Sequence, residues 1–148
     1  MIDVRGDIVI ARPLQEVFEY AADLDKLPQW LDGCRKAWSP DGDGRSVGAE
    51  IVHEDEFMGR TFEARFEVLE WEDCKRIMSR AVSGPFRGTS EETFHDEDGD
   101  TRIEIHVTGE PTGFLKAVSF MARRQAQSQI DRSLANLKRV LEARAADS

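Results

Sequence analysis

FLKAVSFMARRQAQSQIDRSLANLKRVLEA, residues 114–143, is the stretch on which the fold turns. No proline or glycine interrupts it, and good helix formers (Ala, Leu, Lys, Arg, Gln, Glu) dominate it. A helix over this span is about 45 Å long at about 1.5 Å per residue. Ile130, Leu134, Leu137 and Leu141 recur at steps of four, three and four, which is one face of an α-helix. Phe114, Val118, Met121 and Ala122 continue that face upstream. Between the two blocks the stripe carries Gln125, Ala126 and Gln129, where a solid core would carry Leu or Ile. Such a helix can grip a sheet at its far end and leave room beneath its first half.

The preceding chain supplies the sheet. Val4 to Ala11 reads as a first strand, and Arg12-Pro13 opens a helix whose buried stripe is Leu14, Val17, Phe18 and Ala21. Asp23 is placed to cap a second, short helix through Leu27 and Trp30. Cys34 to Ser39 is a strand, and Pro40 to Gly44 a turn. The period then becomes two. Val47, Ala49, Ile51 and His53 share one face; Phe62, Ala64, Phe66 and Val68 repeat the pattern beyond a bend at Phe57-Met58-Gly59. Arg76 to Ser83 is a strand whose phase hydropathy does not fix, so Arg80 has no assigned side. Phe86 to His95 and Thr101 to Glu110 flank an Asp-Gly turn, with Ile103, Ile105 and Val107 inward. The short connections imply an antiparallel meander with one apolar face, and only the long helix is large enough to cover it. The predicted architecture is α+β: a curved antiparallel sheet of about seven strands, in the order β-α-α-β6-α, around a long C-terminal helix.

Length fits one domain over residues 1–148. The formal net charge of −9 disfavours nucleic acid and anionic membrane as partners. The N-terminus lacks the apolar core of a signal peptide, and no segment has about 18 uninterrupted apolar residues, so a cytoplasmic protein without integral membrane contact is expected. Cys34 and Cys74 form no CxxC pair and read as reduced structural thiols. His53, His95 and His106 show no HxH or HxxxH spacing, so no metal site is expected. No phosphate-cradling glycine motif follows a strand, and no cofactor is expected.

Several motifs carry a family resemblance. Ile10-Ala11-Arg12-Pro13-Leu14-Gln15-Glu16-Val17-Phe18 resembles an opening strand ending in Ala-x-Pro before a Val-Phe helix; Asp23 to Trp30 resembles the Asp…Pro-x-Trp helix that follows it. Gly84-Pro85-Phe86 and Asp98-Gly99 sit at turns, and Asn136 to Glu142 resembles a closing Leu-Lys-x-x-Leu-Glu. Together they resemble the START-like (SRPBCC) superfamily with its helix-grip fold, and within it the polyketide cyclase/dehydrase and lipid-transport family. The resemblance implies a mostly apolar cavity between sheet and helix that holds a lipid- or polyketide-like molecule; a monomer or homodimer is expected. Alternatives within the superfamily are a cyclase/dehydrase that folds its substrate by proximity, and a protein-interaction module whose cavity is filled.

Strand phase proposes the lining: Ile51, His53, Phe62, Ala64, Phe66, Ile103, Ile105 and Val107, joined by Trp30, Phe86 and Phe94, and by Met121, Ala122, Gln125 and Gln129 from the long helix. Core packing is the plain alternative for each apolar member. Two titratable groups stand out as weak catalytic candidates. His53 lies on an apolar face, with a rim position beside Asp55 or Glu54 as its ordinary explanation. Glu92 shares phase with Phe94, and an inward carboxylate needs a proton or a partner, for which Arg80 and Arg60 are the candidates. His53 and Asp55 do not make a triad, because no motif anchors a serine or cysteine nucleophile to them.

Overall fold

In the computed structural model, residues 1–146 are described. Seven strands form one antiparallel sheet: β1 (Ile2–Ile10), β2 (Cys34–Trp38), β3 (Glu50–Phe57), β4 (Arg60–Glu72), β5 (Arg76–Ser83), β6 (Phe86–Glu97) and β7 (Asp100–Pro111). Their spatial order is β1-β7-β6-β5-β4-β3-β2, so the first strand closes against the last and the rest follow as a meander. Between β1 and β2 lie α1 (Leu14–Ala22), a 3-10 turn (Leu24–Lys26) and α2 (Leu27–Trp30); a 3-10 segment (Gly113–Val118) precedes the terminal helix α3 (Ser119–Ala146). The element order is the one the sequence implies.

Local chemistry sets the junctions. Pro13 takes extended backbone angles immediately before α1, one residue short of the helical position expected for it. Asp23 accepts the Asp25 N–H at 3.0 Å and so caps the 3-10 turn that leads into α2. Asp98 and Gly99, both at positive φ, form the tight turn between β6 and β7.

The terminal helix departs from expectation at its start. Residues 113–118 wind as a 3-10 segment, and the α-helix begins at Ser119, not Phe114. The residues turned inward are Ala122, Ala126, Ile130, Leu134, Leu137 and Leu141, at steps of four and three. Met121 and Gln125 each precede an inward alanine by one residue, or about 100° of helix rotation, which carries both out to solvent. Met121 is 55% exposed, and Phe114 also faces outward, with Arg60 over its ring. Val47, expected on the inner face of β3, sits in the turn before that strand and is exposed.

α3 lies chiefly along β1. The approach is close because Gly6 has no side chain: a Cβ there would come within 2.6 Å of Ile130 Cγ2 and 3.0 Å of Leu134 Cδ1. Polar contacts fix the helix to the loop after α2. Ser133 Oγ accepts the Asp32 N–H at 2.8 Å and donates to the Gln129 carbonyl at 2.7 Å. The Arg132 guanidinium grips the Asp32 carboxylate at 2.9 and 3.0 Å.

The interior divides along its length. At one end Phe18 of α1 meets Phe94 edge-on (5.0 Å, 75°) and Trp71 edge-on (5.7 Å, 77°). Ile10, Ile103, Leu137 and Leu141 are fully enclosed in the same core. Beside this packed region the interior is hollow.

Candidate functional site

The hollow has a volume of about 230 Å³. Rows of residues directly opposite one another across neighbouring strands build its floor. Ile77, Glu92 and Ile105 form one row on β5, β6 and β7; Ser79, Ser90 and Val107 form the next. Ile51, Phe66 and Ala81 form a third, on β3, β4 and β5. Gln129, Ile130 and Ser133 of α3 roof it, and Leu27 and Leu31 close one side. The room therefore lies beneath the middle of the helix, not beneath its first half.

Among the residues proposed from the sequence, Ile51, His53, Ala64, Phe66, Phe86, Ile105, Val107 and Gln129 border the hollow. Others do not. Phe94 and Ile103 are one row further along and are packed into the filled end. Phe62 packs against the core away from the cavity wall, and Ala122 is buried in the core rather than at the cavity. Trp30 is enclosed beyond the cavity side of its loop, its buried Nε1 without a hydrogen-bond partner. Met121 and Gln125 point to solvent.

The phase of β5 is settled by its neighbours. Ile77, Ser79, Ala81 and Ser83 face the hollow, so Arg80 faces out and pairs with Glu67 at 3.0 Å. Arg60 stacks on Phe114. Neither arginine is the expected partner of Glu92. That carboxyl borders the cavity, between Ile77 and Ile105, and has no hydrogen-bond or ion-pair partner among the described residues. Burial alone pushes it up to about 7 from its ordinary 4.5. A carboxyl held there can give or take a proton near neutral pH.

His53 lies on the same concave surface three strands away, and also well displaced along the strands: its row crosses β4 at Ala64, whereas the row of Glu92 crosses β4 at Trp71. Its ring rests against Phe66, centroids 4.7 Å apart, and its Nδ1 is 3.6 Å from Asp55 Oδ2. His53 is therefore both a cavity residue and a neighbour of Asp55. The register adds a third group: Cys34 on β2 is directly opposite Asp55 on β3. Cysteine, histidine and carboxylate do meet, yet this is no activated nucleophile. Burial first, and then the Asp55 charge, push the Cys34 thiol up to about 12, which keeps it protonated.

The family model for polyketide cyclase/dehydrase and lipid transport matches residues 1–142. The chain belongs to this family. Its helix-grip architecture is START-like: a START superfamily protein from Mycobacterium smegmatis superposes with a TM-score of 0.80 at 15% identity, over 97% of this chain and 99% of that one. TTHA0849 from Thermus thermophilus gives 0.79 at 24% identity, over 95% and 98%. The di-domain ARO/CYC BexL from the BE-7585A biosynthetic pathway gives 0.74 at 14% identity, over 96% of this chain and 47% of that one. A search of curated protein sequences finds no match. No helix among the described residues is long and apolar enough to cross a membrane.

Sequence reasoning missed part of this family member's cavity. Ser79, Ala81, Ser83, Gly88 and Ser90 border it because small side chains leave space, and small or polar residues give no inward hydropathy signal. Ile130 is legible as helix stripe, but its place on the cavity wall, like that of Trp71 near the end of β4, depends on sheet curvature.

Proposed function

We propose that the chain binds a small aromatic or compact apolar molecule in the hollow between sheet and helix. The observation that carries this reading is the cavity itself: about 230 Å³, walled largely by apolar side chains, with the unpartnered carboxyl of Glu92 on its floor. An apolar cavity of about 150 Å³ holds benzene, so this one suits about one or two fused rings and not a long-chain lipid in full. Glu92 orients the ligand by donating to an oxygen when protonated. A cavity plugged by side chains, as the protein-interaction alternative requires, is not this geometry.

A cyclase/dehydrase-type reaction is the second reading, and Glu92 favours it. A carboxyl poised near neutral pH can remove a proton α to a carbonyl or protonate a leaving oxygen. His53 borders the same hollow but lies too far from Glu92 to act on the same atom, so Glu92 is the one group this reading assigns to proton transfer.

Titration with 2-naphthol tests the binding reading, followed through Trp71, the one tryptophan on the cavity wall. Ala81→Phe and Ser90→Phe fill the space from two strands and are expected to weaken binding at least about tenfold, the factor that about 1.4 kcal/mol represents. Unchanged affinity in both folded variants contradicts the proposal.

A further inference from the structure

Cys34, His53 and Asp55 place a sulfur, a nitrogen and a carboxylate oxygen within 4.8 Å of one another. A bulge between Cys34 and Lys36 makes this possible. Beyond it, Lys36 is opposite Glu54 and Ala37 opposite His53; continued without a shift, that register would set Arg35 opposite Asp55. The bulge moves Arg35 outward, where it pairs with Glu56, and turns Cys34 in. His53 precedes Asp55 by two residues and so shares its face.

The cluster is under-satisfied as it stands. Asp55 Oδ1 is buried with no hydrogen-bond partner, and no lysine or arginine pairs with Asp55 among the described residues. The Cys34 thiol bonds weakly to the Lys36 carbonyl at 3.6 Å and lies against the Asp55 carboxylate; burial first, and then that charge, raise its pKa. A buried carboxylate oxygen without a donor is costly, and a cation between the three groups would satisfy all of them.

We propose that Cys34, His53 and Asp55 form a Zn²⁺ site in the wall of the hollow. The mixed sulfur, nitrogen and oxygen donor set suits this borderline-soft ion, and three protein ligands leave a fourth position. His53 and Asp55 both border the cavity, so that position is filled from the cavity side, by water or by an oxygen of whatever the cavity holds. On binding, the Cys34 proton passes to solvent and the thiolate sulfur bonds the ion. The linear spacing of the histidines conceals such a site, because its sulfur comes from a different strand.

The test uses the full-length protein, reduced and stripped with chelator, and needs no cavity ligand, so it stands or falls apart from the binding proposal. Zn²⁺ is titrated against a chromophoric chelator, and Co²⁺ is added separately as a spectroscopic probe. One ion per chain is expected, with a near-ultraviolet thiolate-to-cobalt band that Cys34→Ser abolishes and Cys74→Ser preserves. His53→Gln and Asp55→Asn, checked for folding by circular dichroism, are expected to weaken Zn²⁺ at least about tenfold. Absence of stoichiometric binding, a cobalt spectrum without the thiolate band, or a band that persists in Cys34→Ser would overturn the site.

Discussion

Phe94 and Glu92 are two residues apart on the same face of β6, and their surroundings are opposite. Phe94 is locked edge-on against Phe18, with Ile103 beside it, in an interior with no room to spare. Glu92 looks into empty space between Ile77 and Ile105. One strand therefore serves a close-packed end that holds the fold and a hollow end free to serve a ligand. The contrast shows where stability and function separate here: they divide at a step of two residues along a strand, not between domains.

Truncation breaks this contrast most sharply. Phe94→Ala is expected to cost about 3–5 kcal/mol, since it opens a void in packed surroundings. Phe66→Ala borders existing space and is only half-buried, so about 1–2 kcal/mol is expected. Urea unfolding of both variants measures the difference, and equal costs would erase the distinction between the two ends.

The next largest effect is electrostatic and depends on pH. The unfolded chain's Glu92 ionises near 4.5, whereas the folded protein keeps it protonated up to about 7. Between those values the native state holds a proton that the unfolded state has lost, so stability falls as pH rises and levels off above the window. Glu92→Gln removes that loss. Its stability is expected to match the parent near pH 4 and to exceed it by about 3 kcal/mol at pH 8. Parallel curves for the two proteins would mean that the carboxyl is solvated or paired.

Arg80→Ala sharpens the comparison from the outer face. The Arg80–Glu67 pair is exposed on both sides, so less than about 0.5 kcal/mol should be lost. Naphthol affinity should not move, because the side chain points away from the hollow. A weakened complex would reverse the assigned phase of β5.

The same division explains what the sequence disclosed. The filled end was legible in part: Leu134, Leu137 and Leu141 recur at helix period because packing demands large apolar side chains, whereas strand period marks Ile103 only as inward and does not separate packed core from cavity lining. The hollow end was not. On β5 the cavity side carries Ser79, Ala81 and Ser83 while Met78 and Val82 face away, so hydropathy points the wrong way where space must be left. Met121 and Gln125 were misplaced for a related reason: Ala122 and Ala126 take the inward positions, and larger neighbours on each side disguise them. The placement of Cys34 opposite Asp55 is not legible because a bulge, which no period reveals, sets its rung.

The most direct measurement is a methyl nuclear Overhauser experiment on the isoleucine-labelled protein saturated with 2-naphthol. The account predicts contacts from the ligand's ring protons to the δ-methyls of Ile51, Ile77, Ile105 and Ile130, which border the hollow, and none to Ile10 or Ile103, which are sealed in the packed end. Contacts spread over both groups, or confined to exposed methyls, would contradict it.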